Sequence, residues 1–457
     1  MEQIISHARE HRSDYLQQVK DLVAIPSVSS DPERRDEIIR CAKLLKEHAE
    51  TAGLENVRLM ETGGNPVVYG DWLHAENAPT ILIYGHYDVQ PEDPVDLWDS
   101  PPFEATERDG RLYGRGVIDD KGQLYIHIGA LDSWMKTEGR LPVNVKVIFE
   151  GEEEIGSKHL DDFLNENRDM LDADVIVVSD TGMFAKGVPS ITYGLRGLVY
   201  FQIDVEGPSG DLHSGSYGGP VANPANVLSQ MLAGLQDEDG RVAIPGFYDN
   251  VLTLTEEERE NFAKLPFDEE EFMQDIGVPG LAKDKEYSIL EQLWCRPTLD
   301  VNGLESGFTG TGAKTVLPSK AMAKVSMRLV PQQDPDRIAK LFEDYINEIA
   351  PSSVRVNVSR MHGGPPYLAD TSEPMFEAAR QAVQRAFNKE TALIREGGSI
   401  PFVRTITDTL NSPAILLGFG LPNENAHAPN EWLDLENFYL GTESIAYLYD
   451  EIRKRSD

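Results

Sequence analysis

Cysteine is nearly missing from this chain: Cys41 and Cys295 are the only two in 457 residues. Two distant cysteines exclude a disulfide-stapled scaffold and a cysteine-based zinc ribbon, and they fit reduced thiols. Long apolar runs are missing too, with no stretch near the ~20 residues needed to span a bilayer. The N-terminal segment MEQIISHAREHRSDYLQQVKDLVAIP is charged and amphipathic and lacks the apolar segment of a signal peptide. Basic residues are scarce, 42 Lys and Arg against 77 Asp and Glu, for a formal charge of −35. Nucleic acid and anionic membranes both demand clustered Lys and Arg, so neither is an expected partner. The expectation is a cytoplasmic protein. Its acid is clumped at residues 255–260 and 268–271, which read as solvated helical surface.

What is present is a set of four strand-like apolar runs, each leading to a side chain able to hold a hard or borderline metal ion. Residues 80–84 (TILIY) lead into Gly85-His86-Tyr87-Asp88, and residues 143–149 (VNVKVIF) into Glu150-Gly151-Glu152-Glu153-Glu154. Residues 175–178 (VIVV) lead into Ser179-Asp180, and residues 414–417 (AILL) pass through a Gly-rich turn to His427. Near-continuous apolar runs are the pattern of strands buried on both faces of a parallel sheet. Ligands of open α/β sheets bind beyond the carboxyl ends of such strands. Residues hundreds of positions apart are therefore expected at one sheet edge.

The length predicts two domains. Residues 3–23 read as one amphipathic helix. A second opens at Ser30-Asp31-Pro32-Glu33, a cap followed by a first-turn proline, and closes at Gly53. Strands and helices then alternate through residues 57–59, 66–70, the His86 strand, a helix at 122–136, the Glu153 strand and the Asp180 strand. That is the rhythm of a parallel or mixed sheet. Near Gly194 the pattern changes. An alternating strand at 198–205 is followed by a helix at 223–235, a short strand at 298–301, an alternating strand at 321–329, a helix at 336–349 and a strand at 353–359. This β-α-β-β-α-β order is the ferredoxin-like split motif, interrupted by an acidic, Pro- and Gly-rich excursion at 237–291. From Pro366 the α/β rhythm returns, with a helix at 373–387. The expected fold is α/β. The larger domain, with a mostly parallel sheet and helices on both faces, spans residues 1–194 and 367–457, and an inserted ferredoxin-like α+β domain spans 195–366.

His86 and Asp88 stand two apart and share a face of their strand end. A metal-bound histidine usually gives its other ring N–H to a carboxylate, a role Asp88 suits. Asp119-Asp120 lies in a Gly-flanked turn just before a helix, where either acid could cap the helix or bridge two cations. In the run Glu150-Gly151-Glu152-Glu153-Glu154, repulsion is costly unless some groups face solvent, one is protonated, or a cation sits among them. The last case makes one glutamate a ligand and its neighbour a base.

The segments HYDVQP, GRGVIDDKG, EGEEEIGS, SDTG, DLHSG, TGTGAKTVLP and REGGSIP, with the late His427, occur in this order. Together they resemble the di-zinc aminopeptidase/carboxypeptidase/aminoacylase family, most of all its carnosinase-like dipeptidase branch. The resemblance covers about residues 86–427. It implies two metal ions bridged by Asp119, one completed by His86 and Asp180 and the other by Glu154 and His427. It also implies Glu153 as general base and a cis peptide between the paired acids. Two zinc ions per subunit are expected, and a ligand set of oxygen and nitrogen also admits manganese or cobalt. Amide hydrolysis at neutral pH needs a hydroxide-like nucleophile, which zinc supplies by lowering the pKa of water to about 7.

In the inserted domain His213 alone reads as a surface histidine and Arg328 as a surface charge. The resemblance makes His213 an oxyanion donor reaching across a homodimer interface. It makes Arg328 a bidentate binder of the substrate's C-terminal carboxylate. Asn302 and Thr309 would assist, as would backbone N–H groups and a hydroxyl at Gly397-Gly398-Ser399. The inserted domain would act as a lid and dimerisation surface. His7, His11, His48, His74, His127, His159 and His362 have no matching role. The expected function is hydrolysis of dipeptides or short peptides bearing a free C-terminal carboxylate. The alternative is an N-acyl-amino-acid deacylase or a carboxypeptidase using the same site. A nucleotide enzyme is disfavoured, because a Walker lysine motif and a full dinucleotide fingerprint are both missing.

Overall fold

The apolar runs become the middle of a sheet in which three consecutive pairings are parallel. The structure, a computed structural model, describes residues 1–282, 284 and 286–455; Lys283, Lys285, Ser456 and Asp457 lie outside the described residues. The chain divides into two units. The first is Met1–Tyr193 with Ala369–Ile394 and Phe402–Asp457, and the second is Gly194–Leu368 with Arg395–Pro401.

In the first unit the parallel strands lie in the order Asn144–Glu150, Thr80–His86, Val175–Val178 and Ala414–Leu416. Apart from Thr80 and Asn144 at their starts, every residue of these strands is buried, which is why they read as continuous apolar runs. Antiparallel strands extend the sheet: Val67–Trp72 and Glu55–Met60 on one side, Ser190–Leu195 on the other. The helix Lys121–Glu138 packs on Thr80–His86, and Arg35–Thr51 packs on the two outer strands. Leu435–Arg455 packs on Lys121–Glu138 and on Pro374–Phe387. The fold is thus mixed α/β with a parallel centre. Strand register aligns the ends of these strands: His86 pairs with Glu150, and Tyr84 with Val178. The His86 turn, the acidic run and Asp180 therefore leave the sheet at one level.

Helix boundaries obey capping chemistry. Asp31 accepts the Glu33 N–H at 3.0 Å and opens a 3-10 turn, Pro32–Arg34, before Arg35–Thr51. Gly53 closes that helix at φ +100°, where a side chain would be strained. The single helix expected over residues 3–23 is instead two, Glu2–Glu10 and Arg12–Val23. The break is at His11, which turns both its backbone N–H and its ring Nδ1 onto the His7 carbonyl at 3.0 Å. Among the described residues no helix is long and apolar enough to cross a membrane.

The second unit is a four-stranded antiparallel sheet ordered Thr298–Ser306, Lys320–Leu329, Gly197–Glu206, Arg355–Gly364. Helices Pro224–Ala233 and Pro335–Ile349 pack on it, completing the split β-α-β-β-α-β motif. The alternation along Gly197–Glu206 sends Val199, Phe201, Ile203 and Val205 into a core with Met327 and Phe342. The strand expected at 298–301 runs on to Ser306, because Asn302-Gly303 forms an irregularity between paired stretches rather than a turn. The excursion carries helices Glu256–Ala263, Glu269–Asp275 and Ile289–Cys295. The first and third open with capping boxes, Thr255 with Glu258 and Ser288 with Glu291.

Candidate metal centre

Where the parallel strands end, two groups of side chains share one carboxylate. Asp119 directs Oδ1 to His86 Nε2 at 3.0 Å and Oδ2 to His427 Nε2 at 2.8 Å. Asp180 lies 3.8 Å from the same nitrogen of His86, and Glu154 Oε2 lies 3.3 Å from His427 Nε2. Donor atoms within each of the sets His86, Asp119, Asp180 and Asp119, Glu154, His427 all fall within 4.8 Å of one another. The Asp119–Asp120 peptide is cis. Asp120 points the other way, and its Oδ2 accepts the His86 backbone N–H at 3.1 Å.

Each ligand candidate is held by chain geometry. Gly122 lets the helix Lys121–Glu138 start hard against the preceding turn, since a Cβ there would sit 2.0 Å from the Val117 carbonyl oxygen. His427 adopts φ +61° in a loop pinned by Glu424, whose two oxygens accept the N–H groups of Leu421 and Asp434 at 2.6 and 2.8 Å. Glu431, buried against Arg115 at 2.6 Å, accepts the N–H groups of Gly116, Ile118 and Asp119. Neither Glu431 nor Glu424 was expected from the sequence; the visible signal was their closeness to His427.

Asp88 departs in part from its expected role. The shortest contact of His86 Nδ1 is to the Asp88 main-chain carbonyl at 3.0 Å, and the Asp88 carboxylate stands 3.4 Å away. The chain turns directly after the strand, so the carbonyl reaches the ring first. The carboxylate instead accepts the backbone N–H groups of Glu153 and Glu154 at 3.2 and 3.1 Å. It thereby fixes the acidic turn Glu153–Ile155. Glu152 turns away to His159 and to the N–H of Asn65, which separates it from its neighbours. Gln90, also missed, donates to Glu154 Oε2 at 2.7 Å.

The electrostatics call for a cation. Asp119, Asp120, Asp180, Glu153 and Glu154 are faced by two imidazoles, and Lys121 does not help: its ammonium donates to the carbonyls of Leu22 and Ile25. Burial and then the neighbouring Asp119 and Glu154 charges hold Asp180 up at about 6, against the pull of His86. Burial, with Asp180, Asp119 and Glu154, likewise lifts Glu153 well above the ordinary carboxylate range. Asp119 goes the opposite way: against burial, His427 and His86 hold it well down. The Asp119 and Glu154 carboxylates raise His427 to about 10. Buried Glu154 Oε1 and Asp120 Oδ1 have no protein partner. Such an orphaned acceptor beside crowded carboxylates fits divalent ions held by oxygen and nitrogen. Both cysteines are free and buried, outside the site motifs.

In the second unit Arg328 donates from Nη1 to Ser399 Oγ at 2.8 Å, bringing together two of the expected substrate residues, with Gly398 adjacent. Asn302 and Thr309 are exposed. His213 is exposed at the start of the short helix Ser214–Tyr217, and its Nδ1 accepts the Gly215 N–H at 3.1 Å. That leaves Nε2 as the protonated ring nitrogen of the neutral form.

A sequence profile described as "Peptidase family M20/M25/M40" matches residues 82–451. The chain is 34% identical over 454 residues to the Cys-Gly metallodipeptidase DUG1 of Saccharomyces cerevisiae, covering 95% of this chain and 94% of that protein. It is 32% identical to the Beta-Ala-His dipeptidase of Homo sapiens, covering 99% and 92%. Its fold is similar to that of the M20 family metallo-carboxypeptidase Sso-CP2 from Sulfolobus solfataricus, with a TM-score of 0.85, 33% identity and coverage of 96% and 99%.

Proposed function

The chain belongs to peptidase family M20/M25/M40, and from that premise we propose that it is a di-metal dipeptidase acting on dipeptides or short peptides with a free C-terminal carboxylate. The observation that carries this is Asp119, whose two oxygens face two different imidazoles at 3.0 and 2.8 Å, each imidazole with an acid of its own. His86, Asp119 and Asp180 would hold one ion, and Asp119, Glu154 and His427 the other. When bound, zinc, or manganese or cobalt in its place, supplies the Lewis acidity that activates water and the scissile carbonyl.

Glu153 accepts the proton from the attacking water and returns it to the leaving amine, a task suited to a carboxyl group lifted well above its ordinary range. Asp88 holds the backbone of Glu153 and Glu154, and so sets where base and ligand stand. Arg328 and the turn bearing Gly398 and Ser399 take the substrate carboxylate. His213, with Nε2 as donor, stabilises the oxyanion across a homodimer interface. Replacing His213 with Ala should nearly abolish turnover and leave metal content unchanged.

Similarity to a metallo-carboxypeptidase keeps one alternative alive beside a deacylase. A panel of dipeptides, tripeptides and N-acetyl amino acids, run on chelated protein re-supplied with zinc, manganese or cobalt, separates the readings. Dipeptides should be turned over fastest, and only with metal. Exclusive turnover of the acetylated compounds, or activity that survives chelation, would sink the proposal.

A further inference from the structure

The turn that touches Arg328 is also held by a second arginine with no role in the chemistry proposed so far. Arg196 directly follows the strand Ser190–Leu195. Its Nε donates to the Gly397 carbonyl at 2.9 Å, and its backbone N–H donates to the Gly398 carbonyl at 3.1 Å. In a planar trans peptide the carbonyl and the following N–H point in opposite directions. Drawing both carbonyls toward Arg196 therefore turns the N–H groups of Gly398 and Ser399 away from it. Neither N–H has an acceptor among the described residues. The Ser399 hydroxyl on the same turn accepts from Arg328. Gly397 suits this packing, since a Cβ there would lie 2.7 Å from Arg196 Nη2 and 3.0 Å from the Leu293 carbonyl oxygen.

Resting on the reading of Arg328 as the carboxylate binder, we infer that Arg196 is the positioning residue that sets the Gly397-Gly398-Ser399 turn to present its N–H groups to the substrate's C-terminal carboxylate. The charges agree with the geometry. Burial first, and then the like charge of Arg328, work against the Arg196 guanidinium and pull it down to about 10, with Asp300 as the acid opposing them. The Arg328 guanidinium and a turn whose free N–H groups point away from Arg196 are donors that an incoming carboxylate would satisfy. A turn needed only for folding would not require two N–H groups held without an acceptor.

The test compares an Ala-Ala dipeptide with its C-terminal amide on the zinc-loaded enzyme, for wild type, Arg196→Lys and Arg196→Met. Melting temperature and metal content are measured on each. Wild type should prefer the free carboxylate. In Arg196→Met the KM for the dipeptide should rise about tenfold or more, as expected for a lost charged hydrogen-bond arrangement, with kcat changing far less. The amide should be affected less, so the preference collapses. Arg196→Lys, which keeps the charge and one donor, should fall between. An unchanged preference in Arg196→Met, or an equal loss of kcat on both substrates, overturns the inference and leaves the role of Arg328 standing. Should Arg196→Met not fold, Arg196→Lys decides: a reduced preference supports the inference and a wild-type preference overturns it. A wild type indifferent to the amide overturns both readings at once.

Discussion

Glu153 and Glu154 are neighbours in sequence and in one short turn, yet their surroundings differ, and the proposal gives them different roles. Glu154 has one oxygen on Gln90 and near His427 and the other buried without a partner, the arrangement of a ligand. Glu153, the proposed base, shares with Glu154 the backbone tie to Asp88, and its carboxyl is lifted by burial and the surrounding acids. Glu153→Gln should lower kcat by about 10²–10⁴ and leave both metal equivalents in place. Glu154→Gln should lose one equivalent. Metal analysis beside steady-state kinetics decides, and the reverse pattern would exchange the two roles. Gln90 supports Glu154 from outside the ligand set, so Gln90→Leu should weaken one of two metal affinities by about 10–100-fold. A chelator-competition titration showing both affinities unchanged would remove Gln90 from the site.

At the scale of elements, the helix Lys121–Glu138 links the candidate site to the core. Its first residues follow the paired acids, and its buried His127 faces Ser179, next to Asp180. Ser179 gives its hydroxyl proton to the Leu417 carbonyl at 2.7 Å, so it accepts from His127 Nε2 at 2.8 Å. The Nδ1 of His127 has no partner, and burial lowers this histidine to about 3. The folded state thus keeps His127 neutral while the unfolded chain takes up a proton below about 6.5. Unfolded protein binds more protons there, so stability is lost as pH falls from 6.5 toward 3. The slope from this group alone is about 1.4 kcal/mol per pH unit. His127→Gln removes it, so the stability gap between the two proteins should narrow or invert between pH 7.5 and pH 5 in urea unfolding. A gap constant with pH would mean that His127 takes up its proton in the fold as readily as in the unfolded chain.

The same helix shows what could be read from the sequence and what could not. The apolar runs marked the strands, and the places where they stop marked which side chains would meet, because a parallel centre sends its strand ends to one edge. Nothing in GRGVIDDKG says that Arg115 is spent on Glu431, more than 300 residues later, or that Glu431 in turn seats the Asp119 backbone. Those links are made by loops, where no periodicity reports on position. Asp88 was visible as a partner of this region, but whether its carboxylate or its carbonyl meets His86 depends on one backbone turn. The turn in REGGSIP was in view, but Arg196 was not, because their contact spans about 200 residues and no repeat connects them.

For the molecule as a whole, a surplus of acid means that a nonspecific response to cations can pass for a specific one unless the experiment separates them. With a formal charge of −35, any divalent ion screens repulsion and stabilises to some degree. Ions bound at a real site add RT ln(1 + [L]/Kd), about 2.7 kcal/mol at a hundredfold excess over Kd. Both candidate sets lie in the first unit and include histidine nitrogen, which favours zinc, manganese or cobalt over magnesium or calcium. Four of the five tryptophans, Trp72, Trp98, Trp134 and Trp432, belong to that unit, so intrinsic fluorescence reports mainly on it. Chelated protein should therefore melt several degrees lower by fluorescence and recover with micromolar zinc, manganese or cobalt, and much less with magnesium at equal concentration. Asp119→Ala, which removes the carboxylate common to both sets, should erase the difference among metals while keeping the general screening response. A wild type that responds equally to all four ions, or an Asp119→Ala protein that still distinguishes them, would place the stabilising cations elsewhere on the acidic surface.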